Sequence, residues 1–281
     1  KSQIDSGLYQ KLDKTKLTNY KNLDVSYLEI LKEADPSNVY LAGYLWGYTT
    51  MGLDVEKVVK QLGKTPIPKN LWELVFNPVY TKKLKSCGIS YLDSSTDIMP
   101  IALSYVGKPT NSVNPADYTL ALAMLKKVRP DIKEFSSSDQ AAKLASGSSC
   151  ILIGWGADFY RARQISKDKG SALNIAPVFP EKGALLFLDS MAIPANAKHP
   201  DNAHKFINYI LRAEVHAAIT NETKYANPNL ASKKFIDTVM VNDRALMLSK
   251  GDFSRLTSPK ALNEKTSLMR AEVFESFKAS K

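Results

Sequence analysis

Short apolar runs alternate along this chain with stretches that open on a helix-capping residue and close near glycine. That alternation confines the chain to an α/β fold. The sharpest run is Cys150-Ile-Leu-Ile-Gly-Trp155, whose unbroken apolar character predicts a buried strand. Further strands are expected at 89–92, 132–135, 175–179 and 185–194. Between them the caps are explicit. Asp54 can cap a helix over 55–62 that stops at Gly63, and Pro115 suits the first helical position of a segment running to 128. Ser137 and Gln140 have the capping-box spacing for a helix ending near Gly147. Helices are also expected at 68–76, 78–86, 97–106, 157–168, 200–211 and 213–220, with three more from residue 232 onward.

The 281 residues, 44% of them hydrophobic, are enough for a sizeable core or two lobes. No window approaches the 18 apolar residues of a membrane span. Lysine and arginine exceed acidic residues by 38 to 28, a net charge of +10. Such a balance can serve an anionic partner, but the lysines are scattered in small groups such as Lys82-Lys83-Leu84-Lys85, which reads as a solvated surface. No aromatic-interleaved RNA motif or zinc module is present, so no nucleic-acid partner is expected. Two cysteines, Cys87 and Cys150, without clustered histidines make a poor metal site. They can be buried thiols or a disulfide.

Two segments carry an aromatic residue followed by an aspartate. In the first, Trp155 precedes Asp158; in the second, Gly183-Ala-Leu-Leu-Phe-Leu-Asp-Ser-Met-Ala-Ile-Pro194, Phe187 precedes Asp189. Aromatic faces attract ammonium groups and cover alkyl chains, and carboxylates accept charge-assisted hydrogen bonds from the same groups. The pair suits a ligand with an aliphatic body and cationic ends. Asp158 follows a turn at the carboxyl end of a strand, where open α/β sheets bind ligands; it can instead cap the next helix, and Trp155 can be ordinary core. Asp189 interrupts an apolar strand, where an unpaired buried carboxylate is costly, and Phe187 shares its face by two-residue periodicity. An enzyme is the weaker reading. His199, His204 and His216 fall in one helical region and suit packing or solvation, and no nucleophile elbow, phosphate loop or His-Glu-x-x-His motif occurs. Two carboxylates can serve a glycosidase, but the aromatic partners fit a cation better. No catalysis, cofactor or metal is expected.

These two segments, together with Leu12-Asp-Lys-Thr-Lys-Leu17, Gly43-Tyr-Leu-Trp-Gly-Tyr-Thr-Thr-Met-Gly52, Leu84-Lys-Ser-Cys-Gly-Ile-Ser-Tyr-Leu-Asp93, Phe135-Ser-Ser-Ser138 and Tyr225-Ala-Asn227, resemble in order and spacing the polyamine-binding proteins of bacterial ABC importers, the putrescine-binding type more than the spermidine type. The resemblance implies a two-lobed periplasmic binding protein of the second structural type, with lobes joined by crossing hinge strands near 46–52 and 180–189. Lobe 1 would hold 1–47 and 189–234; lobe 2 would hold 48–188 and 235–281 with the C-terminal helices. It implies a periplasmic, monomeric receptor that binds putrescine, or next spermidine, between its lobes and delivers it to a membrane ABC permease. A same-fold receptor for another cationic solute, a sensory binding protein and a hydrolytic enzyme are the alternatives. The implied ligand residues are Trp155, Asp158, Phe187, Asp189, Asp97 and Tyr225, with Asp97 standing where glutamate is common. A Cys87–Cys150 disulfide is implied, as in some members. Against the family the chain starts inside the first lobe, which implies a missing N-terminal segment carrying that lobe's aromatic and serine ligand motif.

Overall fold

The computed structural model describes residues 1–171, 173–243, 246–248, 250–258 and 260–280, without the side chains of 250 and 252. Its strands are β1 (Tyr9–Gln10), β2 (Ala42–Asp54), β3 (Ile89–Tyr91), β4 (Glu134–Phe135), β5 (Ile151–Trp155), β6 (Ile175–Val178), β7 (Leu185–Met191) and β8 (Ile193–Pro194). The chain forms two compact units, the first from 1–47, 187–247 and 258–261, the second from 48–186, 248–257 and 262–281. It passes from the first unit to the second inside β2, at Gly47 and Tyr48, and returns inside β7, at Leu186 and Phe187.

The second unit is built on a sheet in the order β4, β3, β5, β2, β6, with β7 also paired to β2. β3 runs parallel to β4 and β5, whereas β2 is antiparallel to β5 and β6. Successive side chains of a strand point to opposite faces, and β5 shows why its sequence has no polar alternation. Ile151 and Ile153 enter the main core with Ile89, Tyr91 and Leu125. Leu152, between them, enters a second cluster with Leu144, Phe159 and Ala162. Both faces are therefore covered by helices. The C-terminal helix Glu264–Ala279 closes one side through Phe274 and Phe277, whose rings meet Phe135 edge-on at 6.0 and 5.2 Å.

Cys87 and Cys150 form a disulfide across a sequence separation of 63, where β3 and β5 begin side by side. Closing a loop of that size removes about 4 kcal/mol of unfolded-state entropy in the chain-entropy picture.

The first unit packs helix Pro200–Ile210 over a small core of Leu12, Leu17, Leu23, Ile193, Ile207 and Leu211, and helix Ala213–Thr223 follows with His216, Ala217 and Thr220 buried. β1 pairs antiparallel with β8. His204 is tied at both ring nitrogens, Nε2 accepting from the Asp13 amide and Nδ1 lying 2.8 Å from the Pro200 carbonyl. That pattern requires the neutral tautomer protonated at Nδ1. His216 is fully buried against Tyr44, bonds its carbonyl through Nε2, and leaves Nδ1 without a partner. Burial pulls its pKa down to about 4. These two histidines are built into packing, while His199 is exposed at a helix start.

Several expectations are corrected. Of the helix expected at 68–76 only Glu73–Phe76 forms, because Asn70 Oδ1 accepts from the Trp72 amide and turns the chain just ahead of it. The capping box at Ser137 is absent. The helix is Gln140–Ser146, Asp139 occupies the N-cap in a left-handed conformation, and the Gln140 amide reaches back to the Ser136 carbonyl. Residues 187–188, 258–261 and 235–247 belong to the first unit rather than the second. The latter segment is tied there by Asn221, which donates to the Phe235 carbonyl and accepts from the Asp237 amide, and by buried Ile236 and Met240.

Two outcomes follow. Gly52 faces Leu152 across the β2–β5 register, and a Cβ there would lie 2.2 Å from the buried Phe159 ring. Gly52→Ala is expected to lower stability by about 1–3 kcal/mol through overpacking, read as a drop in the urea midpoint. His216 resists protonation only when folded. Below its ordinary pKa of 6.5 the unfolded chain therefore binds the extra proton, and stability falls from about pH 6.5 down to about 4. His216→Gln should remove that part of the acid sensitivity in denaturation curves taken at successive pH values.

Candidate functional site

In the second unit, Trp155 ends β5 opposite Thr49 of β2 and stands immediately before helix Gly156–Asp168. Its ring is partly buried against the main core. Gly156 lets the chain turn beneath Tyr48, since a Cβ would meet that ring at 2.3 Å. Asp158 occupies the first turn but does not cap the helix, which has no side-chain cap bond. Its residue exposure is 9%, and among the described residues its carboxylate has no hydrogen bond or ion pair. Desolvation pushes its pKa up to about 6. The positive charge of Arg161 and the amino end of the helix pull the other way but do not win.

Asp97 lies in the first turn of helix Ser95–Tyr105 and is half-buried. Thr49 Oγ1 donates to its Oδ1, and Ser94 Oγ donates to Oδ2 at 2.6 Å. Thr49 thus connects two expected site residues, facing Trp155 in the sheet register and Asp97 through its hydroxyl. Arg270 of the C-terminal helix lies within electrostatic reach of Asp97, its own pKa is lowered by burial, and its Nε is buried without a partner.

In the first unit, Phe187 and Tyr225 meet edge-to-face with centroids 6.0 Å apart. The Phe187 ring points its Cζ tip at Gly47, where a Cβ would come within 2.5 Å of it. The loop bearing Tyr225 is held by the Trp46 amide, which donates to the Ala226 carbonyl at 2.8 Å. Asn227 fastens the same loop by donating to Thr220 Oγ1 at 2.8 Å. Asp189 follows on β7, where Tyr27 Oη donates to its carbonyl at 2.9 Å. The burial expected for Asp189 is not found: the residue is exposed, because the apolar pattern of β7 gives way after Leu186 as the strand enters the first unit. Enough protein still surrounds the carboxylate to raise its pKa by desolvation.

The expected residues therefore fall into two sets, Trp155, Asp158 and Asp97 in the second unit and Phe187, Asp189 and Tyr225 in the first. Thr49 and Arg270 are the additions that sequence did not point to. Thr49 could have been suspected from the polar Thr49-Thr50 pair inside an otherwise apolar crossing segment, whereas Arg270 carries no local signal. Among the described residues no cluster of His, Cys, Asp and Glu could hold a metal.

The bacterial extracellular solute-binding protein family matches residues 1–247, and the chain belongs to that family. It is 35% identical over 280 residues to the putrescine-binding periplasmic protein PotF of Escherichia coli K12, covering 99% of this chain and 75% of that protein. It is 37% identical over 275 residues to a putrescine/agmatine-binding protein of Pseudomonas aeruginosa, covering 98% and 75%. Among solved structures, the spermidine/putrescine ABC transporter substrate-binding protein PotD of Streptococcus pneumoniae matches with a TM-score of 0.78 and 21% identity, over 99% of this chain and 80% of that one. The fold is that of the periplasmic binding proteins, as the sequence led us to expect.

Asp158 gives a direct test of the site's electrostatics. Its folded pKa is raised above the unfolded value of 3.8, so the charged form destabilises the ligand-free protein and stability is lost as pH rises from about 4 through about 6. Asp158→Asn should stabilise the ligand-free protein by roughly 1–3 kcal/mol at pH 7 and by nothing near pH 3. Equal urea midpoints for the two proteins at pH 7 would contradict this account of the carboxylate.

Proposed function

We propose that this protein is an extracytoplasmic receptor for a polyamine, putrescine first and spermidine next, which it delivers to a membrane ABC permease. The observation that carries the proposal is Asp158, a buried carboxylate in the first helical turn after Trp155 that has no hydrogen bond or ion pair among the described residues and only the nearby charge of Arg161 to offset it. A primary ammonium supplies the missing charge and hydrogen-bond donors, and the indole covers the adjoining methylenes. In the first unit Asp189 offers a carboxylate for a second ammonium, with Phe187 and Tyr225 as apolar walls. The sequence relatives named for putrescine binding support the same ligand class.

Asp97 takes a lesser role in this reading. Its oxygens already accept from Thr49 and Ser94, and Arg270 offsets part of its charge. It positions Thr49 and the Trp155 end of the sheet, and contacts an amine only when a longer ligand reaches it. No step of the proposed function needs catalysis, and the protein acts as a monomer.

Titration calorimetry with putrescine, spermidine, spermine and lysine tests the proposal. Putrescine is expected to bind and lysine, which brings an unmatched carboxylate, to bind far more weakly. Asp158→Asn should weaken putrescine by about 2–5 kcal/mol, the usual loss when a buried charge pair is broken. Because the ligand takes the ionised carboxylate, binding must expel a proton below the Asp158 pKa of about 6. Affinity should therefore fall as pH drops from 7 to 5, by up to about tenfold per unit from this group. Unchanged putrescine affinity in Asp158→Asn would end the assignment of that residue, and binding of none of the amines would end the polyamine reading.

A further inference from the structure

The net charge of +10 has no use in the receptor reading, and its lysines are not evenly spread in space. Lys57, Lys60, Lys85 and Lys133 line one cavity of about 530 Å³ on the second unit, together with Ser86 and Ser148, and no acidic residue lines it. Lys57 and Lys60 stand three apart on helix Val55–Leu62 and so share a face. Lys85 comes from the turn Lys85–Cys87, and Lys133 from the residue ahead of β4.

The carboxylates nearby offset only part of this charge. Lys57 and Lys85 reach Asp54 and Asp131 only at 3.9 and 3.7 Å, and both aspartates are buried. Asp131 also accepts from Thr81 Oγ1, and Asp54 caps its helix through Oδ1, but two carboxylates set against four ammonium groups leave an excess of positive charge. Glu134 is paired with Lys143 at 3.2 Å. Among the described residues, Lys60 and Lys133 have no ion pair.

The cavity is held in place by backbone. Lys133 Nζ donates to the Ser148 carbonyl at 2.7 Å and Lys57 Nζ to the Gly147 carbonyl at 3.2 Å. Gly147 has φ of +69°, and a Cβ there would lie 1.9 Å from the Lys57 ammonium. Gly88 has φ of +91°, and its Cβ would strike the Ser148 carbonyl at 2.6 Å. Both positions need glycine for their positive φ, and Gly88 also for space against the Ser148 backbone, and the Cys87–Cys150 disulfide fastens the strand starts behind them. Four ammonium groups are thus gathered around a space larger than one carboxylate needs, on a floor that does not have to form on binding. Lysine binds phosphate oxygens as a point charge with rotatable donors.

We infer that this cavity is a binding site for a phosphate-bearing anion, either a free one or the headgroup of an anionic phospholipid. It uses none of the residues assigned to polyamine.

The test uses sodium pyrophosphate by calorimetry, and sedimentation with phosphatidylcholine vesicles made with and without phosphatidylglycerol. Two double variants change charge equally: Lys60→Glu with Lys133→Glu in the cavity, and Lys126→Glu with Lys127→Glu at the exposed end of helix Pro115–Val128. Pyrophosphate binding should weaken at least about tenfold in the cavity variant, a change of about 1.4 kcal/mol, and stay unchanged in the control. Putrescine affinity should be the same in both. Amide shifts induced by pyrophosphate in the unmodified protein should centre on Lys60, Gly88, Gly147 and Ser148, a readout that survives if a variant fails to fold. Pyrophosphate binding together with capture on phosphatidylglycerol vesicles, both lost in the cavity variant, assigns the headgroup; pyrophosphate binding alone assigns a free anion. Equal losses in the two double variants, or shifts scattered over all surface lysines, would reduce the effect to net charge and overturn the site. So would the absence of both pyrophosphate and vesicle binding.

Discussion

Strand β2 is buried along nearly its whole length, from Ala42 to Asp54, and most of the side chains that matter take their position from it. Its register with β5 sets Thr49 opposite Trp155, and the Thr49 hydroxyl then fixes Asp97. Its glycines do what no larger residue could. Gly47 receives the Phe187 ring and Gly52 the Phe159 ring. A shift of one residue would turn every side chain of β2 to the opposite face. It would remove Thr49 from Asp97 and push side chains into both aromatic contacts. The strand belongs to both units, so an error in its register could not be confined to one of them.

Much of this could be seen in the sequence because the signals were local. Asp54 and Asn114 cap the helices that follow them, each through a side-chain oxygen accepting from a nearby amide. The run at β5 was unbroken because both faces are buried, and periodicity reads that directly. What escaped depended on competition or on distance. Asn70 draws the Trp72 amide into a turn where helix periodicity alone would continue. Gln140 has the right spacing for a capping box, but its amide finds the Ser136 carbonyl instead. The apolar neighbours of Asp189 made it look buried, whereas exposure along β7 is set by where the strand changes unit. Arg270 reaches Asp97 from a helix far along the chain, and no spacing rule connects the two.

Charge is handled in two opposite ways. Exposed pairs such as Lys16 with Asp201 and Arg212 with Glu214 lie in solvent and contribute little to stability. At Asp158 a carboxylate is largely kept from solvent and has no hydrogen bond or ion pair among the described residues, and at Arg270 the Nε is buried without a hydrogen-bond partner among them. Buried charge is expensive, and each is only partly offset, Asp158 by Arg161 and Arg270 by Asp97. The lysine-lined cavity beside Cys87 is intermediate, with Lys57 and Lys133 bonded to backbone carbonyls and Lys57 and Lys85 in long ion pairs with buried aspartates.

The disulfide between Cys87 and Cys150 has a consequence for how the second unit comes apart. β3 and β5 are parallel neighbours, so everything between them in sequence is a crossover that returns to the same place. With the bond closed that crossover is a ring, and the two central strands cannot separate at their starting ends. Partial opening must then begin elsewhere, at the two-residue β4 or at β6 on the far edge. Local unfolding follows such differences in tethering. The covalent link therefore gives the sheet a direction of wear, with its outer strands the first to loosen and its centre the last.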